Sequence, residues 1–322
     1  IRLSLVGSEM CIRDSPDPVR RPAMKISYNW LKEFVAFDAP PEELAKIITF
    51  QCFELEELQQ VVRSVKGIVV GKILESKTHP DADKLKVTQV DTGDGMPLNI
   101  VCGAPNCRPG LHVAVAPVGV RVGGIDIERR ALRGIDSEGM ILSEREMGIS
   151  DDHAGILELP DSCPVGTRLE ELVEPEDWIL DFEVTVNRPD ALSHLGIARE
   201  VAAHFNSRLV LPDYSVDEVD RTASDRVKVD ILAPVQGPRY LARVVEGVKI
   251  GPSPLWLKSR LHALGQRPIN NIVDVTNFVL HELGHPLHAF NYYLVRDGHI
   301  VVRMASPGEK FTTLDGQERI LT

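Results

Sequence analysis

The spacing of apolar side chains along the chain predicts helices first and strands afterwards. Trp30, Leu31 and Phe34 fall on one face of a helix, and a proline followed by two glutamates indicates a second helix from Pro41 through Phe50. From residue 67 onward, apolar and polar positions alternate in short runs separated by turn residues, which predicts five strands at 67–76, 85–92, 98–102, 112–122 and 131–142. Five short strands within about a hundred residues are typical of a small Greek-key β-barrel.

Beyond the predicted barrel the pattern becomes mixed. Residues 151–172 close the barrel module, and a polar, acidic linker is expected at 212–225. Helices are predicted at 192–206, 254–264 and 272–283, and strands at 179–186, 227–232, 239–245, 299–304 and 310–314. This mixture of helices and strands after the linker predicts a separate α+β domain.

The composition is that of an ordinary globular protein, with 43% hydrophobic and 26% charged residues. The formal net charge of -11 argues against nucleic-acid binding through overall charge, so any RNA contact needs a local basic patch. The five cysteines, an odd number, indicate a reducing compartment, and no apolar run reaches the roughly 18 to 20 residues of a membrane span. These features predict a cytoplasmic protein that does not enter a membrane.

Both ends of the sequence differ from the rest. Residues 1–23 have no sustained apolar period and no signal-peptide pattern, so we expect a non-native leader and a true start at Met24. At the other end, Thr322 directly follows a strand-like stretch, which favours a chain that continues further.

Three short runs carry the chemistry of the predicted barrel. They are residues 79–85 (HPDADKL), residues 101–106 (VCGAPN), and Leu132-Arg133-Gly134 followed by Ser137, Gly139 and Met140. In this order and spacing they resemble the tRNA-binding domain family that is attached to several aminoacyl-tRNA synthetases, which has an oligonucleotide-binding (OB) fold. Such barrels bind RNA with basic side chains on strands and loops. The candidate phosphate contacts are Lys72, Lys77, Lys84, Lys86, Arg108, Arg121, Arg129, Arg130 and Arg133.

A plainer interpretation stays open for these basic residues. Acidic side chains are interleaved with them, so the lysines and arginines could serve only to solubilise the barrel; examples are Asp81, Asp83, Glu128 and Glu138. Cys102 and Cys107 have no second pair at zinc spacing, so buried or incidental cysteines are expected there rather than a metal site.

The segments on either side of the barrel resemble the bacterial phenylalanyl-tRNA synthetase β-subunit family. The resemblance covers residues 24–322 and rests on residues 24–31 (MKISYNWL), 148–156 (GISDDHAGI), 187–190 (NRPD), 196–200 (GIARE), 238–240 (PRY), 254–256 (PLW), 274–277 (DVTN) and 288–290 (HAF). It implies a multidomain α+β protein. An OB-fold barrel (62–172) is inserted into a small α/β N-terminal domain (24–61 and 173–213), and an incomplete α+β editing domain of the B3/B4 type follows (226–322).

The resemblance also implies an activity and partners. In that family a class II aminoacyl-tRNA synthetase with two α and two β subunits joins phenylalanine to tRNA(Phe), using ATP and magnesium. Amino-acid activation belongs to the α subunit, and this sequence has no phosphate-binding glycine loop. We therefore expect tRNA(Phe) and an α subunit as partners, no DNA or membrane partner, and no cofactor bound to this chain itself.

The same resemblance assigns a proofreading site to the last domain. A pocket for phenylalanine rejects tyrosine only about a hundredfold, so a second site must hydrolyse tyrosyl-tRNA(Phe). The resemblance places His288 and Asn277 near the ester and the terminal ribose, and Arg267 at the rim. Each could instead be structural: Arg267 a solvated turn residue, Asn277 a partner of its helix backbone, and His288 a cap of nearby carbonyls. The carboxylate that recognises the tyrosine hydroxyl lies beyond residue 322 in the family, so this chain alone is expected not to edit.

One short motif points to a different chemistry. Residues 281–285 (HELGH) match the zinc-protease pattern, with His288 as a tempting third ligand. That site needs both histidines one turn apart on a continuous helix, but Gly284 and Pro286 predict that the helix ends first, so we expect no metal site. His285 and Asn291 also depart from the family, which usually has Gln and Asp at these positions.

Two other functions remain open. The chain could be a free-standing tRNA-binding module or chaperone, or a stand-alone hydrolase of mischarged tRNA. The runs at 274–277 and 288–290 argue against the first, because a bare module would end near residue 172. The barrel argues against the second.

Overall fold

The computed structural model describes residues 5–6, 23–313 and 316–321. Its helices are α1 (Tyr28–Phe34), α2 (Pro41–Gln51), α3 (Glu144–Met147), α4 (His194–Phe205), α5 (Leu255–Ala263) and α6 (Asn271–Leu283). Its strands are β1 (Leu5–Val6), β2 (Ala23–Ser27), β3 (Glu54–Val62), β4 (Val69–His79), β5 (Ala82–Asp91), β6 (Leu98–Cys102), β7 (His112–Pro117), β8 (Arg121–Val122), β9 (Ile125–Asp126), β10 (Arg130–Leu132), β11 (Ile135–Ser137), β12 (Gly139–Ile141), β13 (Glu158–Leu159), β14 (Glu176–Glu183), β15 (Lys228–Ile231), β16 (Ala289–Phe290), β17 (His299–Val302), β18 (Lys310–Thr312) and β19 (Glu318–Ile320). None of the helices in these residues is long and apolar enough to cross a bilayer.

The first sheet joins segments from both sides of the barrel sequence. Its strand order is β2-β14-β3, so β14, which follows the barrel, lies between two strands that precede it. The helices α1, α2 and α4 pack with this sheet around the buried side chains of Trp30, Phe34 and Phe182. Helix α1 begins at Tyr28 because the Ser27 hydroxyl accepts a hydrogen bond from the Trp30 amide (3.1 Å). Both helices predicted in this part of the sequence are confirmed.

The barrel is one antiparallel sheet whose edges almost meet. Its strand order is β12-β7-β4-β5-β6, and β13 pairs with β7. Between β11 and β12 the Glu138 amide donates to the Asn99 carbonyl of β6 (2.8 Å), which links the two edges. Ile73, Val90 and Ile100 are fully buried in its core. The alternating pattern therefore predicted a nearly closed barrel correctly.

Two of the predicted barrel strands are interrupted by turns. The strand expected at 112–122 ends at Pro117, because Gly119 takes a left-handed conformation (φ 93°), and the chain resumes as β8. The strand expected at 131–142 divides into β10, β11 and β12, and a two-residue turn at Arg133 and Gly134 separates the first two. These interruptions create hairpins that lie outside the main sheet.

Residues after the linker form α5 and α6, the parallel strand pair β15–β17 and the hairpin β18–β19. Both helices predicted here are confirmed to within one residue. The strand predicted at 239–245 is wrong: this stretch is irregular, and Leu241 and Val245 are each 75% exposed. Alternating apolar residues form a strand only beside a backbone that can pair with them, and no described strand lies there. The last residue of the strand predicted at 310–314 falls outside the described residues.

Three consecutive residues of α5 attach it to the rest of the chain. The contacts are Lys258 Nζ with Glu144 Oε1 (2.5 Å), the Ser259 carbonyl with Arg63 (3.2 Å), and Arg260 with Glu33. Glu144 belongs to α3, beside the barrel, and Glu33 to α1. These contacts hold α5, and with it the last part of the chain, against both the barrel and the first helix.

Candidate functional site

The three sequence runs of the barrel meet at one of its ends, and a buried histidine joins two of them. His79, at the end of β4, is only 2% exposed. Its Nδ1 accepts from the Asp81 amide (3.0 Å) and its Nε2 donates to the Leu132 carbonyl (3.1 Å), which fixes a neutral tautomer with the proton on Nε2. His79 thereby connects the β4–β5 turn to the β10–β11 hairpin.

The run at 101–106 is attached to the same hairpin. The Ser137 hydroxyl accepts from the Val101 amide (3.1 Å) and donates to the Gly139 carbonyl (3.0 Å). Two residues earlier on β6, the Asn99 side chain donates to the Asp136 carbonyl (2.6 Å). All three runs therefore converge on the β10–β11 hairpin, and we call this region (residues 77–86, 99–106 and 130–139) the barrel end.

The tip of this hairpin holds an arginine in an unfavourable backbone conformation. Leu132 pairs with Ile135, so the loop contains only Arg133 (φ 49°) and Gly134 (φ 87°). Two left-handed residues are the geometry of a tight hairpin turn, but Asn, Asp or Gly is preferred at the first of them, and another residue costs about 1 to 2 kcal/mol. The Arg133 guanidinium donates to the Asp81 carbonyl (3.0 Å). The arginine is thus held, at a conformational cost, in the turn of the β10–β11 hairpin.

The structure gathers only some of the predicted phosphate contacts. Five of the nine lie at the barrel end: Lys77, Lys84, Lys86, Arg130 and Arg133. Lys84 and Arg133 are exposed and make no ion pair with a described residue. Lys77 and Arg130 are exposed and have acidic partners (Glu75 at 2.7 Å and Glu128 at 3.7 Å), but exposed pairs of this kind contribute little and remain available to a ligand.

The other four predicted basic residues lie outside the barrel end, and one of them, Arg129, directly precedes it and forms an ion pair with Glu138. Lys72 lies near the start of β4, and Arg121 on the β8–β9 hairpin is 3.9 Å from Asp126. Arg108 forms a two-pronged ion pair with Glu158 (2.9 and 2.8 Å), which holds its guanidinium against β13. The sequence could not distinguish these residues from those at the barrel end, since all of them are basic residues of one barrel.

Lys86 points inward, toward a pair of thiols. Its ammonium donates to the Cys107 carbonyl (2.5 Å). A hydrogen bond from the Cys102 thiol, helped by Ser76 and the Lys86 charge, lowers the pKa of Cys107 to about 7, whereas the pKa of Cys102 is raised. Both cysteines are buried, as expected, and no group of three potential metal-ligating side chains occurs in the part of the chain that the structure describes.

The residues predicted for the editing cleft lie on three neighbouring segments. Arg267 is exposed on the loop before α6, Asn277 is half-buried on α6, and His288 is exposed just before β16, which contacts α6. The side chains of these three residues make no hydrogen bond or ion pair with a described residue. β16 itself pairs with β1, from the stretch expected to be a leader.

A buried aspartate that the sequence reasoning missed shapes this region. Asp274 is fully buried, and its carboxylate accepts from the Ser253 hydroxyl (2.5 Å) and the Ile269 amide (2.8 Å). It therefore ties α6 to the loop that carries Arg267. In the sequence, only its position in the run at 274–277 pointed to Asp274, because no local pattern reports hydrogen bonds to a loop amide and to a serine 21 residues away.

Helix α6 ends between the two histidines of the zinc-protease pattern, as predicted. α6 ends at Leu283 and Gly284 takes the left-handed conformation (φ 72°), so His285 lies beyond the helix and is exposed. His281 is largely buried, and burial lowers its pKa to about 4. The two histidines therefore do not stand one turn apart on a continuous helix.

Comparison with known proteins now identifies the family. Residues 68–168 match the family described as "Putative tRNA binding domain", and residues 236–322 match the "B3/4 domain". Over 92% of its length the chain is 51% identical to the phenylalanine--tRNA ligase beta subunit of Anaeromyxobacter dehalogenans. The chain belongs to the phenylalanine--tRNA ligase beta subunit family. The resemblance read from the sequence is thereby confirmed.

Other members of the ligase beta subunit family give the same result. The Salinibacter ruber protein is 46% identical over 92% of this chain. The chain spans 37% and 38% of the length of these two relatives. A solved C-terminal domain of p43 from Plasmodium vivax is 25% identical and covers 33% of this chain and 59% of that one, but its TM-score of 0.25 is too low to support a conclusion.

Proposed function

We propose that the chain acts as part of a β subunit that binds tRNA(Phe) and removes tyrosine wrongly attached to it. In this role it supports ATP-dependent phenylalanylation of tRNA(Phe) by a separate α subunit, in a cytoplasmic complex of two α and two β chains. The observation that carries the proposal is the 51% identity to a phenylalanine--tRNA ligase beta subunit over 92% of the chain. The convergence of the three runs at the barrel end supports it.

The proposal assigns a task to each part of the chain. Residues 24–61 and 173–213 form the N-terminal domain, residues 62–172 form the inserted OB-fold barrel that binds tRNA, and residues 226–322 belong to the editing domain. ATP and Mg²⁺ belong to the complete enzyme. In the proposal, both cofactors are held by other parts of that enzyme.

In the proposed tRNA-binding role the exposed cations of the barrel end neutralise phosphates. We expect Lys84→Gln to weaken tRNA(Phe) binding about threefold to tenfold and to reduce the slope of log affinity against log salt by about one, because one phosphate contact is lost. Fluorescence anisotropy of labelled tRNA(Phe) across a salt series measures both. The control is Lys66→Gln, another exposed lysine, which lies outside the barrel end and pairs with Glu176. Equal effects of the two substitutions would contradict the proposed interface.

In the proposed proofreading role His288 and Asn277 hold a water and the terminal ribose at the ester, and Arg267 contacts the RNA at the rim. In the complex of a longer β chain with its α subunit, we expect His288→Ala to slow hydrolysis of tyrosyl-tRNA(Phe) about a hundredfold, because a group that positions or deprotonates the water is lost. Phenylalanylation should be unchanged. A deacylation assay with preformed tyrosyl-tRNA(Phe) measures the rate.

The control for this prediction is His153→Ala, an exposed histidine of the barrel domain, which should leave hydrolysis unaffected. A normal rate for the His288→Ala complex would remove His288 from the proposed site. The chain of residues 1–322 alone is expected to show no hydrolysis, and a normal rate there would contradict the division of the site proposed above.

A further inference from the structure

The barrel contains no aromatic side chain that could stack on a base. The chain has 9 Phe, 3 Trp and 5 Tyr, and every one of them lies at or before Phe53 or at or after Trp178. Barrels that bind single-stranded nucleic acid place successive bases on aromatic rings, and each stacked base contributes about 1 to 3 kcal/mol. The main source of affinity for unpaired bases is therefore missing from this barrel.

Histidine does not replace the missing rings at the barrel end. His79 is 2% exposed and uses both ring nitrogens inside the protein, and His112 is 8% exposed with Nδ1 bonded to the Cys163 carbonyl (2.9 Å). His153 is exposed but belongs to the loop after α3, outside the barrel end. The surface at the barrel end consists instead of cations, exposed carboxylates interleaved with them (Asp81, Asp83 and Asp136), aliphatic side chains and the small residues around Gly103 and Gly134.

The barrel end is also formed before any ligand binds. His79 and Ser137 fix the hairpin to the β4–β5 turn and to β6 through side-chain hydrogen bonds of 3.0 to 3.1 Å. Arg133 is held at the tip in a left-handed conformation, with its guanidinium bonded to the Asp81 carbonyl. A rigid surface suits a rigid ligand, because neither partner has to be ordered on binding.

These observations select one class of RNA. Double-helical RNA hides its bases and is recognised by its shape, its phosphates and its 2′-hydroxyls, whereas sequence-specific binding of single strands depends largely on exposed bases. We propose that the barrel end binds double-helical RNA, a base-paired stem of the folded tRNA, by its sugar–phosphate backbone, and does not bind unpaired bases. This inference rests on the proposed tRNA-binding function and names the part of the tRNA that is contacted.

A competition experiment on the complete chain tests the proposal. Labelled tRNA(Phe) bound to the chain is displaced either by an RNA duplex of about 16 base pairs, the span of a typical double-stranded RNA site, or by a single strand of the same length that cannot pair. We expect the duplex to compete at least about tenfold better, because the single strand gains no stacking energy. Equal or better competition by the single strand would overturn the inference. A failure of tRNA(Phe) itself to bind would instead overturn the proposed function.

A substitution that supplies the missing ring gives an independent test. Leu132 lies at the barrel end, is 40% exposed and contributes only its carbonyl to the network, so Leu132→Tyr should fold normally. We expect this variant to raise the affinity for the single strand, relative to that for the duplex, about fivefold to tenfold, because one base can now stack on the added ring. If the added ring raises duplex and single-strand affinity equally, the distinction between the two RNA classes is wrong.

Discussion

Substitution of Gly196 by alanine is expected to lower the free energy of unfolding by about 3 kcal/mol, because it overpacks a backbone contact. Gly196 is in the first turn of α4, and a Cβ there would overlap the Asp190 carbonyl oxygen and lie 2.9 Å from Ala191 Cα. These are backbone atoms of a short 3₁₀ turn and cannot swing aside as a flexible side chain can. Urea denaturation followed by circular dichroism measures the loss.

Whether Gly196→Ala destabilises or stabilises the protein distinguishes steric overlap from helix propensity. Within a helix, alanine is ordinarily more favourable than glycine by about 0.8 to 1.0 kcal/mol, so without the overlap the substitution would stabilise the protein. The control is Gly251→Ala, since a Cβ at Gly251 meets no atom within 4 Å. We expect a change of less than about 0.5 kcal/mol there. A Gly196→Ala protein as stable as the original would mean that the turn at Asp190 lies further from α4.

Substitution of Trp30 by alanine is expected to cost about 3 to 5 kcal/mol, the range for removing a large buried aromatic side chain. Trp30 is 1% exposed and is stacked on His194 (centroids 4.0 Å apart) and on Phe278 of α6 (4.5 Å). Arg260 of α5 lies 5.4 Å from its ring. The cavity would therefore open where the first helix meets both helices of the last part of the chain. The urea midpoint and limited proteolysis of the 226–322 region both report this change.

A second substitution, Trp30→Phe, tests the role of the indole N–H group separately from the loss of the ring. The Trp30 Nε1 proton is buried and has no hydrogen-bond acceptor among the described residues. Leaving a buried donor unsatisfied costs about 1 to 3 kcal/mol, so phenylalanine loses ring area but also removes this penalty. We expect it to cost less than half of what alanine costs. A phenylalanine variant as unstable as the alanine variant would indicate that the indole proton has a partner in solution.

Much of the fold was predictable because its signals are local. Gly284 and Pro286 marked the end of α6 within the sequence itself, and the alternation from residue 67 onward marked the barrel strands. The strand predicted at 239–245 failed for the opposite reason. Its alternating pattern is a local property, but a strand also requires a paired neighbour, and pairing is decided by distant parts of the chain.

The sequence predicted the type of candidate site, an RNA-binding barrel, but not which of its side chains lie together. The three runs indicated an RNA-binding barrel, yet the nine basic residues chosen from the sequence were equivalent until the structure placed five of them together and paired Arg108 with Glu158. The residues that organise the barrel end, His79 and Ser137, bond to partners dozens of positions away. No periodicity reports such contacts.

The sequence by itself determined the family, the barrel, the positions of most helices and the absence of aromatic residues between Phe53 and Trp178, because these depend on residue identity and on neighbours along the chain. Only the tertiary structure decided which cations share a surface, that His79 locks the hairpin, and that Gly196 admits no side chain. Those outcomes depend on hydrogen bonds and steric contacts between residues far apart in sequence, which form only when the whole chain packs.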